Sequence, residues 1–77
     1  MTPPASSLNI DARGFHCPVP TLKLRKAMAD NPDTNAFVLT ADDPMARIDV
    51  PHFCNESGFT LTDMHEDGTA WTFTIHR

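Results

Sequence analysis

The sequence is short of the features that announce most functions. Its 77 residues contain two cysteines, Cys17 and Cys54, with no CxxC between them. That spacing excludes the close ligand pairs of a structural zinc site and the dense bridging of small secreted folds. Six basic residues against ten acidic ones leave a formal charge of −4, too few cations to neutralise phosphates unaided, so direct nucleic-acid binding is not expected. No apolar run approaches membrane-spanning length, and Met1-Thr2-Pro3-Pro4-Ala5-Ser6-Ser7 lacks both the basic start and the apolar stretch of a secretory leader. A reducing, cytoplasmic setting without membrane contact is the expectation. Length limits the chemistry as well, because a chain of this size hides only roughly 60–65% of the surface its unfolded form exposes. One thin core fits, a deep substrate chamber does not, and neither a cofactor nor a metal centre is expected.

What is present is a series of short, well-punctuated elements. Residues 1–7, rich in Pro and Ser, read as a flexible lead-in, and residues 8–77 as one domain. Leu8, Ile10 and Ala12 alternate with Asn9 and Asp11, the period of a strand with one buried face, until Arg13-Gly14 breaks it. From Pro18 onward Thr21, Leu24, Ala27 and Met28 share a helical face while Lys23, Arg25 and Lys26 occupy the others, and Asn31-Pro32-Asp33 ends the helix. The apolar run over residues 36–41 reads as a strand. Asp42-Asp43-Pro44 then reads as an acidic cap with proline at the first helical position. Pro51 should divide this second helix into two short pieces, and Gly58 should end it. Residues 59–66 and 70–76 read as strands joined by an Asp67-Gly68 hairpin, with Trp71, Phe73 and Ile75 on a core face. The order β-α-β-α-β-β implies an α/β (α+β) two-layer sandwich, a four-stranded mixed sheet with two helices on one face.

The chemistry concentrates in Arg13-Gly14-Phe15-His16-Cys17-Pro18-Val19-Pro20. Proline at position 18 suits the first helical residue, which puts Cys17 at the cap, where a thiolate can accept backbone N–H bonds. Pro18 and Pro20 lack an N–H, so Val19 and Thr21 are the expected donors to the sulfur. With the helix dipole they should hold the thiol below its ordinary pKa of about 8.5. The competing reading is an inert buried cysteine at a strand-to-helix turn. Gly14, Pro18 and Pro20 would shape the site, and His16 reads as solvated beside it. Arg13, Lys23, Arg25 and Lys26 form either a docking face for an acidic partner or a plain solvated face. Asp42 and Asp43 read more simply as helix caps than as an acid–base pair. Cys54 reads as a packed residue of the second helix, and His52, two positions earlier, would fall on a different face. That argues against a metal set of His16, Cys17, His52 and Cys54.

The segment 8–28, with Asp11-Ala12-Arg13-Gly14 leading into Cys17-Pro18-Val19-Pro20 and the basic helix Leu22-Lys23-Leu24-Arg25-Lys26-Ala27, resembles the TusA (SirA/YedF-like) family of small sulfur carriers. Asp42-Asp43-Pro44, Asp49-Val50-Pro51 and Gly58 are similar to the same pattern, whereas Asp33-Thr34-Asn35 stands where family members often carry glycine. The resemblance implies that Cys17 is the catalytic residue. It would accept sulfane sulfur as a transient persulfide and pass it on, a sulfurtransferase by reaction and a carrier by role, with no other cofactor. It further implies a cysteine-desulfurase-like or rhodanese-like donor and an acceptor protein; a monomer is expected, although the exposed edge of a four-stranded sheet allows weak pairing. Within the family the sulfur ends in tRNA thiolation, molybdenum-cofactor maturation, sulfur-compound oxidation or selenium handling. The rival readings are a regulatory module docking through its basic first helix and a Cys17/Cys54 redox switch, which needs the two Cα atoms within about 7 Å.

Overall fold

The computed structural model describes residues 7–16 and 19–77; residues 1–6, which make up nearly all of the expected lead-in, lie outside it, as do Cys17 and Pro18. The elements are β1 (Leu8–Asp11), α1 (Val19–Asp30), β2 (Ala36–Ala41), α2 (Ala46–Ser57), β3 (Thr60–Asp67) and β4 (Ala70–His76). The strands form one sheet in the order β1-β2-β4-β3. β1 pairs parallel to β2, and the other pairings are antiparallel.

Register explains the core. Leu8 and Ile10 lie opposite Phe37 and Leu39, which in turn face Ile75 and Phe73 on β4, so the alternating apolar residues of three strands share one face. Leu24 and Met28 of α1, and Ala46, Val50 and Cys54 of α2, close over that face in one buried cluster. Each fully buried Phe, Leu or Ile there contributes about 1.5–3 kcal/mol relative to exposure. The mixed sheet with both helices on one face is the architecture the sequence implied.

Three local expectations are corrected. The second helix begins at Ala46, not at Pro44: the Asp43 carboxylate accepts the Met45 N–H at 3.1 Å and the Asp43 carbonyl accepts the Ala46 N–H at 2.9 Å, so Asp43 caps a turn ahead of the helix. Proline's fixed φ suits that turn as well as it suits a first helical residue. The helix also runs unbroken through Pro51. Pro51 is in its second turn, where the missing N–H forfeits one bond, and burial of Val50 and Cys54 on either side of it holds the helix together. Finally, β3 starts one residue later than expected and carries an irregularity between Leu61 and Asp63. Gly58, at φ 76°, ends α2 as expected, with the Phe59 N–H donating to the Cys54 carbonyl at 2.9 Å. The Asp33-Thr34-Asn35 loop needs no glycine, since the Thr34 N–H closes onto the Asn31 carbonyl at 3.0 Å and no described non-glycine residue has a positive φ.

Chain direction fixes what meets at each end of the sheet. β1 and β2 are parallel, so α1 must run back between them, and α2, leaving the same end of β2, starts where α1 starts. Residues 12–16 and 42–45 therefore share one corner. Arg77 ends the chain at the opposite end, beside the loop that follows α1. Among the described residues no helix is long and apolar enough to cross a membrane.

Candidate functional site

The corner grows out of β1. The Ala12 N–H donates to the Thr40 carbonyl at 2.8 Å, which extends the β1–β2 pairing by one residue, and Ala12 is fully buried. The chain then turns through Gly14, whose φ of 86° is open to glycine at no steric cost. The Phe15 N–H closes this turn on the Ala12 carbonyl at 3.3 Å. Two contacts pin the loop from outside. The Gly14 N–H donates to Asp42 Oδ1 at 2.9 Å, and the Lys23 ammonium stands 4.5 Å from the centre of the Phe15 ring.

Cys17 and Pro18, the expected sulfur site and one of the residues expected to shape it, lie outside the described residues. On either side of them, His16 is solvated, its side chain 93% exposed with Nδ1 3.8 Å from Asp43 Oδ2, and Val19 is the first residue of α1. Pro20 is buried in the first turn of that helix. The Val19 N–H, expected to reach the sulfur, instead donates to the His16 carbonyl at 2.9 Å, because the chain closes a turn as it enters the helix. Asp42 and Asp43 bring two carboxylates to the same corner, where they oppose the positive end of the helix dipole.

The basic residues do not form one face. Arg13 is turned onto Asp11, Nε to Oδ1 at 3.0 Å and Nη2 to Oδ2 at 3.1 Å. That pair holds the Asp11 carboxyl down at about 2. Lys26 bonds Asp30 at 3.1 Å one helical turn on. Lys23 is committed to Phe15, and Arg25 is exposed. The reading from sequence missed an apolar rim: Phe15, Leu22, Met45 and Ile48 are 43–57% exposed, all in or just ahead of the first turns of α1 and α2. Its one readable signal is that Leu22 lies off the stripe of Leu24 and Met28.

Cys54 is 2% exposed in the core, and burial pushes its thiol up from the ordinary range. His52, by contrast, is exposed and pairs with Glu56 at 2.8 Å, so α2 does turn these two side chains apart. The depressions flanking β1 are open: one of about 270 Å³ touches Asn9, Thr40, Asp67 and Thr72, and another of about 350 Å³ lies between β1 and α1.

The fold is a small α/β sandwich with an exposed loop, residues 13–16, leading into α1. Comparison with known proteins narrows the class. The family model for sulfurtransferase TusA matches residues 8–77. The chain is 30% identical over 77 residues to the sulfur carrier protein TusA of Pseudomonas paraeruginosa, covering 100% of this chain and 96% of that protein. It is 31% identical over 68 residues to the sulfur carrier protein TusA of Pseudomonas putida, covering 88% and 85%. The crystal structure of a SirA-like protein from Desulfitobacterium hafniense superposes with a TM-score of 0.77 at 22% identity, covering 90% of this chain and 95% of that one, a likeness of fold. The chain belongs to the sulfurtransferase TusA family. Its role is that of a sulfur carrier or sulfurtransferase.

Proposed function

We propose that Cys17 carries the sulfur. Its thiolate attacks the outer sulfur of a donor persulfide; the Cys17 Sγ–S bond forms, the donor S–S bond breaks, and the donor leaves as a thiolate that takes up a proton. In the second half an acceptor nucleophile attacks the outer sulfur of the Cys17 persulfide, and Cys17 returns as the thiolate. No electrons are gained or lost overall, so no cofactor is required. The observation that carries this reading is the state of the other thiol: Cys54 is buried in the core with its pKa raised, which leaves Cys17 as the sulfur available for exchange.

Donor and acceptor are proteins, a cysteine-desulfurase-like or rhodanese-like persulfide enzyme on one side. They dock on the rim of Phe15, Leu22, Met45 and Ile48, with Lys23 and Arg25 at its border. A carrier of this kind works as a monomer in the reducing cytoplasm, where a labile persulfide is passed by direct contact. The test is mass spectrometry after exposure to a persulfide donor. Wild type and Cys54→Ala gain about 32 Da, removable by dithiothreitol, and Cys17→Ser gains nothing. Uptake by Cys17→Ser at the wild-type level would overturn the reading.

A further inference from the structure

Asp42 is the residue on this corner with a built role that capping does not explain. It follows Ala41, the fully buried last residue of the central strand β2, so its backbone is held by the sheet. Its carboxylate Oδ1 accepts the Gly14 N–H at 2.9 Å across 28 positions of sequence, and the positive φ of Gly14 belongs to the turn that presents that N–H. Gly14 stands three residues before Cys17, in a stretch where Arg13, Gly14, Phe15 and His16 are all exposed. An exposed loop has little packing to hold it, so a charge-assisted bond from a rigid strand end restricts it strongly.

We infer that Asp42 is a positioning residue for sulfur transfer, tethering the loop that carries Cys17 to the end of β2 through the Gly14 amide. The inference rests on the reading that Cys17 carries the sulfur. Two consequences of Asp42 act on Cys17 with opposite sign, which makes them separable. As an anion, Asp42 disfavours ionisation of a thiol on the loop it holds; as a tether, it fixes the residues that lead into α1, whose positive end favours ionisation. The other titratable groups around Asp42 include Arg13, His16 and Asp43 on the loops and Lys23 on α1.

Asp42→Asn removes the charge and keeps an acceptor oxygen; Asp42→Ala removes both. Cys17 reactivity is followed as iodoacetamide alkylation against pH, located by peptide mass, together with uptake from glutathione persulfide. If Asp42 positions the loop, the alkylation pKa of Asp42→Ala lies about half a unit above that of Asp42→Asn. Uptake by Asp42→Ala at pH 7 is then about threefold slower, while Asp42→Asn stays at or above wild type. Hydrogen exchange of the Gly14 amide supplies an independent readout, slow in wild type and Asp42→Asn and faster in Asp42→Ala. If Asp42→Ala proves unfolded by circular dichroism, Asp42→Val, which also lacks an acceptor, carries the same comparison. Coincident pH profiles and uptake for the alanine and asparagine variants, in a protein that loads on Cys17, would overturn the inference alone. Loading of Cys17→Ser would overturn the reading beneath it.

Discussion

Removing the guanidinium of Arg77 tests the packing account where it is most explicit. Arg77 Nη1 donates to the Met28 carbonyl at 2.9 Å, and Nη2 donates to the Asn31 carbonyl at 2.7 Å and to the Thr34 carbonyl. The same group stands 5.2 Å from the centre of the Phe37 ring. It thus satisfies carbonyls at the end of α1 and in the turn beyond, and covers a buried aromatic. The Met28 bond is half-buried and contributes about 1 kcal/mol, and the two exposed bonds about 0.5 kcal/mol each at most. Stacking on Phe37 and the favourable sign of a cation at a helix C-terminus add about 0.5 kcal/mol together, discounted for exposure. Arg77→Ala should therefore cost about 2 kcal/mol, which in a domain of this size lowers the melting temperature by roughly 8–16 °C. The backbone bond from the Arg77 N–H to the Asn35 carbonyl at 2.8 Å survives the substitution. Arg77→Lys keeps the charge but not the fork, and should recover less than half of the loss. Urea and thermal unfolding measure both variants. A cost below about 0.5 kcal/mol for alanine would show that these contacts exchange freely with water, and would refute the reasoning.

Other outcomes follow from the buried thiol and the surface ion pair. Native protein should react with a thiol reagent only at Cys17, with Cys54 silent until denaturant is added, and Cys54→Ala should cost about 1 kcal/mol through lost packing; rapid native labelling of Cys54 would contradict its burial. Because burial raises the folded pKa of Cys54 above its unfolded value, its share of stability is complete below that unfolded value and declines as pH rises beyond it. Wild type should therefore lose stability at alkaline pH more steeply than Cys54→Ala. Asp11 has the opposite sign: its folded pKa of about 2 lies below the ordinary 3.8, so its share is present above 3.8 and is lost as pH falls through about 2. Asp11→Asn should flatten acid unfolding in that window at low salt and much less at high salt, since both partners are exposed. Parallel wild-type and Asp11→Asn curves at low salt would count against the pair.

The parts of this molecule legible in the sequence are those governed by near neighbours. Strand alternation in β1 and β4, the stripe of Leu24 and Met28, and the stops at Pro32 and Gly58 depend on residues a few positions apart, and these elements came out as read. The start of α2 was misplaced because Asp-Pro chemistry fits a turn and a helix cap equally well. Pro51 was overweighted because burial of Val50 and Cys54 is a tertiary effect that a propensity rule does not contain. At the candidate site, the segment around Cys17 was singled out by its Cys-Pro-x-Pro spacing, while the bonds that organise the neighbouring corner were not legible. Gly14 to Asp42 spans 28 positions and Arg77 to Met28 spans 49, and such contacts leave no periodic trace. Two of the four basic residues read as a docking or solvated face have local partners. Asp11 and Asp30 lie two and four positions from Arg13 and Lys26 and engage both.

The central claim is that one thiol, Cys17, carries sulfur while the buried Cys54 does not. Its most direct measurement is the intact mass of wild type, Cys17→Ser and Cys54→Ala after brief exposure to a persulfide donor, before and after dithiothreitol. The account predicts a reducible gain of about 32 Da in wild type and Cys54→Ala and none in Cys17→Ser. A labile sulfur retained by Cys17→Ser and lost from Cys54→Ala would contradict it.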